Sequence, residues 1–233
     1  MNRPMKNNMP INLTESSFCS QLSPAALKDL QSLAMGVIYP EDSILFQEED
    51  AVRGVFVLLR GLVKLTVSST EGKTLILRLA RPGTILGLSA TISGNPYEAS
   101  AIAVHTSEIG FVRREDFAAF IARHLEVYEL IARESIVQQS EALEQLRLVG
   151  LSASVPERLA RLLLNWSSTG QETRQGVSVK LPLTHEEIGE FIGTSRETIS
   201  RTLSEFKSRR MVELHGSTLT ISNRHALEQM SVA

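Results

Sequence analysis

At 233 residues the chain is long enough for two domains, and 42% hydrophobic with 21% charged residues fits a soluble globular protein. No apolar run approaches membrane-span length, and the N-terminus M-N-R-P-M-K-N-N-M-P lacks the apolar core of a signal peptide. A single cysteine, Cys19, excludes an intrachain disulfide and fits a reducing cytoplasm, while a formal charge of −2 is not that of a protein coating nucleic acid indiscriminately.

Residues 1–24 are polar and irregular and are expected to form a flexible arm. S-P-A-A-L-K-D-L-Q-S-L (23–33) reads as a short helix with Ser23 as cap and Pro24 at its first position. From Val37 to about Val112 the chain turns to short β-prone runs: S-I-L-F-Q, G-V-F-V-L-L-R-G, L-V-K-L-T-V-S, K-T-L-I-L-R-L-A, S-A-I-A-V-H and I-G-F-V. Turn residues separate them at Pro40-Glu41-Asp42, Ser69-Thr70-Glu71-Gly72, Arg81-Pro82-Gly83 and Gly94-Asn95-Pro96. Many short strands at regular spacing predict an antiparallel β-roll or jelly roll within a domain at 25–122.

R-E-D-F-A-A-F-I-A-R then opens a helical region reaching about Leu148, and Leu125 to Val149 contains neither Gly nor Pro. Leu125, Ala132, Ile136, Leu143 and Leu146 follow an a/d-like register interrupted at Glu129 and Gln139. Residues 123–150 are read as a dimerisation helix, the alternative being a helix packed wholly on its own roll. Gly150 to Val155 suggest a hinge before the last domain, 151–233. Pro156 opens its first helix, and the polar stretch 167–176 reads as an exposed loop or hairpin.

T-H-E-E-I-G-E-F-I-G-T-S-R-E-T-I-S-R-T-L-S-E-F (184–206) carries the strongest local signal, a helix-turn-helix. Thr184 and Glu187 form a capping box, and Ile188 and Ile192 share one face of the first helix. Gly189 leaves room for a second helix, and Gly193 suits the left-handed residue that ends the first. Ser195 opens the next helix, where Ile199, Leu203 and Phe206 repeat at i, i+4, i+7. Arg196, Glu197, Ser200, Arg201, Ser204 and Lys207 are left facing outward. Their chemistry suits a DNA major groove: Arg bonds guanine bidentately, Glu accepts from cytosine, and Ser serves bases or phosphate. Thr184, Ser195, Arg196, Glu197, Thr198, Ser200, Arg201 and Lys207 are the candidate DNA-binding residues. Between Thr194 and Arg210 five basic residues face two acidic ones, a local positive footprint. Two β-prone runs around His215–Gly216 read as a hairpin, hence a wing. The fold class is α+β: an antiparallel roll, a long helix and a winged helix-turn-helix.

This order of parts resembles the CRP/FNR family of bacterial transcription regulators, from about residue 25 to 228. The most specific match is T-S-R-E-T-I-S-R at 194–201. In the family a Glu and an Arg four residues later read base pairs, and Glu197 and Arg201 occupy those places. Arg196 matches the cyclic-AMP branch and Ser200 the FNR branch. The resemblance implies a cytoplasmic, non-enzymatic regulator acting as a homodimer on double-stranded DNA. Its site would be a near-palindrome with TGTGA- or TTGAT-like half-sites, and the 167–178 loop a surface for RNA polymerase.

The sensor half departs from the family's cyclic-AMP binders. Their phosphate-binding cassette carries a Glu for the ribose and an Arg–Ser or Arg–Thr pair for the phosphate. Here P-G-T-I-L-G-L-S-A-T-I-S-G-N-P-Y-E-A-S-A (82–101) places Leu88 at the Glu position and Glu98 and Ala99 at the Arg and Ser positions. On the long helix, Leu143 and Glu144 stand where an adenine-contacting Thr–Ser pair is expected. Gly83, Leu86, Gly87, Leu88, Ser89, Glu98, Ala99, Ser100, Leu143 and Glu144 are the candidate pocket residues. Cyclic AMP is not expected in the usual mode, and a vestigial pocket on a retained scaffold is an equal alternative. An iron–sulfur cluster needs about four thiolates, and Cys19 is the only thiol. A haem would need His105 or His124, each an isolated histidine. Cys19 is a candidate redox switch, though S-S-F-C-S-Q-L holds no basic neighbour to activate it. No metal site is expected, nor a cupin-like enzyme, for want of H-x-H, HExxH, a phosphate loop or a nucleophile elbow.

Overall fold

Both faces of the apolar run at 54–59 are buried, so it lacks the alternation of a half-exposed strand. Val55, Val57 and Leu59 belong to one core with Leu30, Phe117, Phe120 and Val127. Phe56 and Leu58 belong to another with Tyr39, Phe46, Tyr97 and Ile109. The strand thus divides a helical layer from the inside of a roll.

The structure, a computed structural model, describes residues 5–7, 11–151, 154–168 and 170–231. It divides into two units, Met1–Ala142 and Leu143–Ala233. In chain order the first holds β1 (Met5–Asn7), α1 (Pro24–Leu33), β2 (Met35–Tyr39), β3 (Ile44–Phe46), β4 (Gly54–Ser68) and β5 (Thr74–Ala80). There follow β6 (Ile85–Leu86), α2 (Leu88–Ser93), β7 (Ser100–Arg113), α3 (Arg114–Arg123) and the start of α4 (Val127–Leu151). The sheet is antiparallel in the order β1-β2-β7-β4-β5, with β3 on β7 and β6 on β4.

Two differences from the sequence reading have physical causes. The runs G-V-F-V-L-L-R-G and L-V-K-L-T-V-S are one 15-residue strand, β4, and S-A-I-A-V-H and I-G-F-V are one 14-residue strand, β7. What read as breaks are register shifts between Leu58 and Val63. Gly61 sits among them at φ +97°, where a Cβ would lie 2.3 Å from Ser107 Oγ, and a bulge there bends the strand without ending it. The N-terminal arm is also not loose from residue 11 onward. Leu13, Phe18, Cys19 and Leu22 are buried in the helical-layer core, and Ser16 Oγ donates to the Gly83 carbonyl at 2.8 Å. Four buried side chains scattered among polar neighbours carry no period, so the sequence did not reveal them.

The second unit holds the end of α4, α5 (Val155–Ser167), β8 (Gln171–Thr173), β9 (Gly176–Lys180), α6 (His185–Ile192) and α7 (Arg196–Ser208). β10 (Val212–His215), β11 (Thr218–Ile221) and α8 (Arg224–Met230) complete it. Its sheet is antiparallel in the order β10-β11-β9-β8, so the wing hairpin is extended by the hairpin at 171–180. α5 is capped by Ser154, with Pro156 in its first turn, and buries Leu159, Leu163 and Trp166. α4 runs through to Leu151, one residue past the expected end of the dimerisation helix, and the unit boundary falls earlier, after Ala142. Gln145 Nε2 donates to the Phe191 carbonyl at 2.5 Å, and Val149 packs at Gly193. Residues 152 and 153 of the expected hinge lie outside the described residues. No helix among the described residues is long and apolar enough to cross a membrane.

Candidate functional site: a nucleic-acid interface and a sensor cavity

The helix-turn-helix is built from its caps outward. Thr184 Oγ1 accepts from the Glu187 N–H at 3.3 Å while Glu187 Oε2 accepts from the Thr184 N–H at 2.9 Å, completing the capping box. Gly193 ends α6 at φ +71°. At Gly189 the backbones come so close that a Cβ would sit 2.7 Å from the Thr194 carbonyl oxygen. Ser195 Oγ accepts from the Thr198 N–H at 3.3 Å and contacts Thr198 Oγ1 at 3.1 Å. The hydroxyls of Thr184, Ser195 and Thr198 are therefore engaged in holding the two helix starts.

α7 buries Ile199, Thr202, Leu203 and Phe206, as its i, i+4, i+7 pattern requires. Arg196, Glu197, Arg201 and Lys207 are exposed, with Glu197 and Arg201 one turn apart on the same face. Arg201 and Lys207 form no salt bridge among the described residues. Glu197 lies in the first turn, where its own backbone N–H, the Ser195 hydroxyl and the Arg196 charge hold its carboxyl below the usual range. It is thus presented ionised, as an acceptor. Ser200 is half-buried, and its Oγ lies 3.0 Å from His185 Nδ1 at the start of α6. His185 escaped the sequence reading because its partner is 15 residues away. The wing turns at Gly216, φ +60°, with His215 and Ser217 exposed beside it.

The first unit holds a cavity of about 510 Å³ inside the roll, closed on one side by α4. Of the pocket residues expected from the sequence, Gly87, Leu88, Ser89, Glu98 and Ala99 line it. The other five do not. The Gly83 carbonyl accepts from the Ser16 and Ser17 hydroxyls, Leu86 is packed in the roll core, and Ser100 Oγ accepts from the Glu48 N–H at 2.9 Å. Leu143 and Glu144 belong to the second unit; α4 reaches the cavity through Ile131, Ser135, Gln138, Gln139 and Ala142. That stripe at i, i+4, i+7, i+8, i+11 begins three turns before the position chosen by resemblance, a displacement no local signal marks.

The residues present do not fit a cyclic nucleotide in the family's usual mode. Glu98 accepts the Ser89 hydroxyl at 2.7 Å and puts a carboxylate on the cavity wall, where the family's usual mode calls for a guanidinium. The one guanidinium on the wall, that of Arg78, is paired with Glu141 at 3.0 Å. Tyr97 anchors the wall: its hydroxyl accepts from the Arg53 and Gly54 N–H groups and donates to the Gly54 carbonyl, and its ring stacks on Phe46 at 4.1 Å.

Cys19, His124 and His105 lie apart from the cavity lining. Cys19 is fully buried, and burial pushes its thiol up to about 11, against a weaker lowering by Ser16. Burial and the raised thiol both slow reaction of Cys19 with an oxidant in the folded chain. His124 Nε2 lies 3.0 Å from Asp29, and His105 Nδ1 lies 2.8 Å from the Val104 carbonyl oxygen.

Comparison with known proteins matches both halves. A Crp-like helix-turn-helix domain matches residues 157–230, and a cyclic nucleotide-binding domain matches residues 37–124. The chain is 28% identical over 208 residues to the nitrogen fixation regulation protein FixK of Bradyrhizobium diazoefficiens, covering 88% of this chain and 83% of that one. It is 27% identical over 198 residues to the transcriptional activatory protein AadR of Rhodopseudomonas palustris, covering 84% and 81%. The structure of FixK2 from Bradyrhizobium japonicum shares the fold, with a TM-score of 0.74 at 22% identity over 86% of this chain and 98% of that one.

Proposed function

The chain belongs to the CRP/FNR family of transcription regulators, and on that premise we propose that it is a homodimeric, site-specific DNA reader governed by the occupancy of its roll. One observation carries the reading. Glu197 and Arg201 stand exposed, one turn apart, on a helix whose opposite face is wholly committed to packing. Glu197 offers an acceptor to a cytosine amino group and Arg201 a fork to guanine, while Arg196 and Lys207 supply charge for the flanking phosphates.

Dimerisation is assigned to α4, whose Ile136, Leu143 and Leu146 are 62%, 49% and 67% exposed in the single chain. They recur near one helical face, so a second α4 would cover them together. Paired subunits would present two α7 helices to half-sites about one DNA turn, ~34 Å, apart. Binding of TGTGA- or TTGAT-like half-sites, and contact of the 167–178 segment with RNA polymerase, extend the same reading.

Selection of randomised duplex DNA on the purified full chain tests it. A recovered near-palindrome with TGA in each half-site is expected, and Arg201→Ala should lose about 1–3 kcal/mol of discrimination at one defined base pair per half-site. Recovery of no preferred sequence, with and without cell extract added, would reject the reading.

A further inference from the structure

We propose that the cavity of the roll takes an amphipathic organic cation, an amine carried on an apolar body, with Glu98 as its counter-ion. The proposal rests on reading the N-terminal unit as a sensor, and it names the class of effector.

Charge decides the class. Among the residues lining the cavity only Arg78 and Glu98 carry opposite formal charges. Arg78 is already neutralised: its guanidinium meets Glu141 at 3.0 Å, and its side chain is only 15% exposed. Glu98 has no cationic partner among the described residues. It receives one neutral hydrogen bond, from Ser89, whereas a carboxylate offers about four acceptor sites. Glu98 is exposed, so solvent weakens its field, yet it is the one charge on the wall without an opposite partner among the described residues, and a cation is favoured beside it over an anion.

Walls and size decide the rest. Phe46, Leu65, Leu88, Ile92, Tyr97 and Ile131 make the surface around Glu98 largely apolar. A volume of about 510 Å³ lies within the ~300–1,000 Å³ of small-molecule sites, too large for an inorganic cation alone. An occupant with an apolar body would rest on these walls and direct its ammonium at Glu98. The same occupant would touch α4 through Ile131, Ser135 and Gln139, the helix to which dimerisation is assigned. Occupancy would thereby bias that helix directly.

Two fluorescent probes of similar size and opposite charge test the proposal on the full chain: dansylcadaverine, an amine, and dansylglycine, a carboxylate. Saturable, blue-shifted emission is expected with the amine, at least tenfold tighter than with the carboxylate, and undiminished by cyclic AMP. Glu98→Gln should weaken the amine at least tenfold, and Glu98→Lys should reverse the preference, a gain that a misfolded protein could not give. Absence of saturable amine binding, equal affinity for the two probes, displacement by cyclic AMP at equal concentration, or indifference to Glu98→Gln would each overturn it. DNA selection on the same preparation separates the two readings. Glu98-dependent amine binding without a recovered operator fails the DNA reading alone, and an operator with charge-blind probe binding fails this one alone.

Discussion

Gly189→Ala tests the closest approach in the helix-turn-helix. A Cβ at that position would lie 2.7 Å from the Thr194 carbonyl oxygen, 3.3 Å from the Ser195 carbonyl carbon and 3.4 Å from the Arg196 nitrogen. All three are backbone atoms, so relief requires α7 to move by several tenths of an ångström rather than a side chain to turn. Overpacking of this kind costs ~1–3 kcal/mol, and the better helix propensity of Ala returns up to ~1 kcal/mol. A net loss of about 1–2 kcal/mol is expected. Trp166, the only tryptophan, is buried in the same unit and reports its unfolding directly in a urea titration. Because the shift falls at the first turn of α7, where Arg196 and Glu197 stand, discrimination among operator variants should weaken as well. An unchanged or raised urea midpoint together with unaltered operator preference would refute the close-packing argument.

His185→Ala releases Ser200 from its 3.0 Å contact, and the base preference at a single operator position should broaden while overall affinity falls less than fivefold; equal loss at every position would assign His185 to phosphate contact instead. Replacing Ile136 and Leu143 together by Glu should convert the proposed dimer to monomer in sedimentation equilibrium, since each side chain covered at a seam contributes on the order of 1–2 kcal/mol; a persistent dimer would exclude this face of α4. For Cys19 the folded thiol titrates at about 11, above the ordinary 9.0. The neutral thiol's contribution is therefore complete below pH 9 and lost as pH rises toward 11, on the order of 2–3 kcal/mol, and Cys19→Ala should flatten the stability profile over that window alone. Native protein at pH 8 should react with a disulfide reagent far more slowly than urea-unfolded protein, and equal rates would contradict the burial.

Signals acting within about two helical turns were readable from the sequence. The capping box of Thr184 and Glu187, the left-handed Gly193, the Ser195 cap and the apolar repeat of α7 all join residues at most seven positions apart. So were the β-prone runs and the turns between most of them, because each side chain there reports its own strand. Tertiary packing decided everything whose partner lies far along the chain. Only it shows that bulges, not breaks, interrupt β4 and β7, since a bulge is a relation between two strands. It also placed Cys19 in the core and Ser16 against Gly83, 67 residues away, and joined His185 to Ser200 across two helices. The cavity is the clearest case. Its wall combines β5, the segment 87–99 and the first half of α4. A shift by whole turns along a helix leaves the sequence pattern almost unchanged but moves every side chain by about 5.4 Å per turn, so only packing in three dimensions could say which turns of α4 face the cavity.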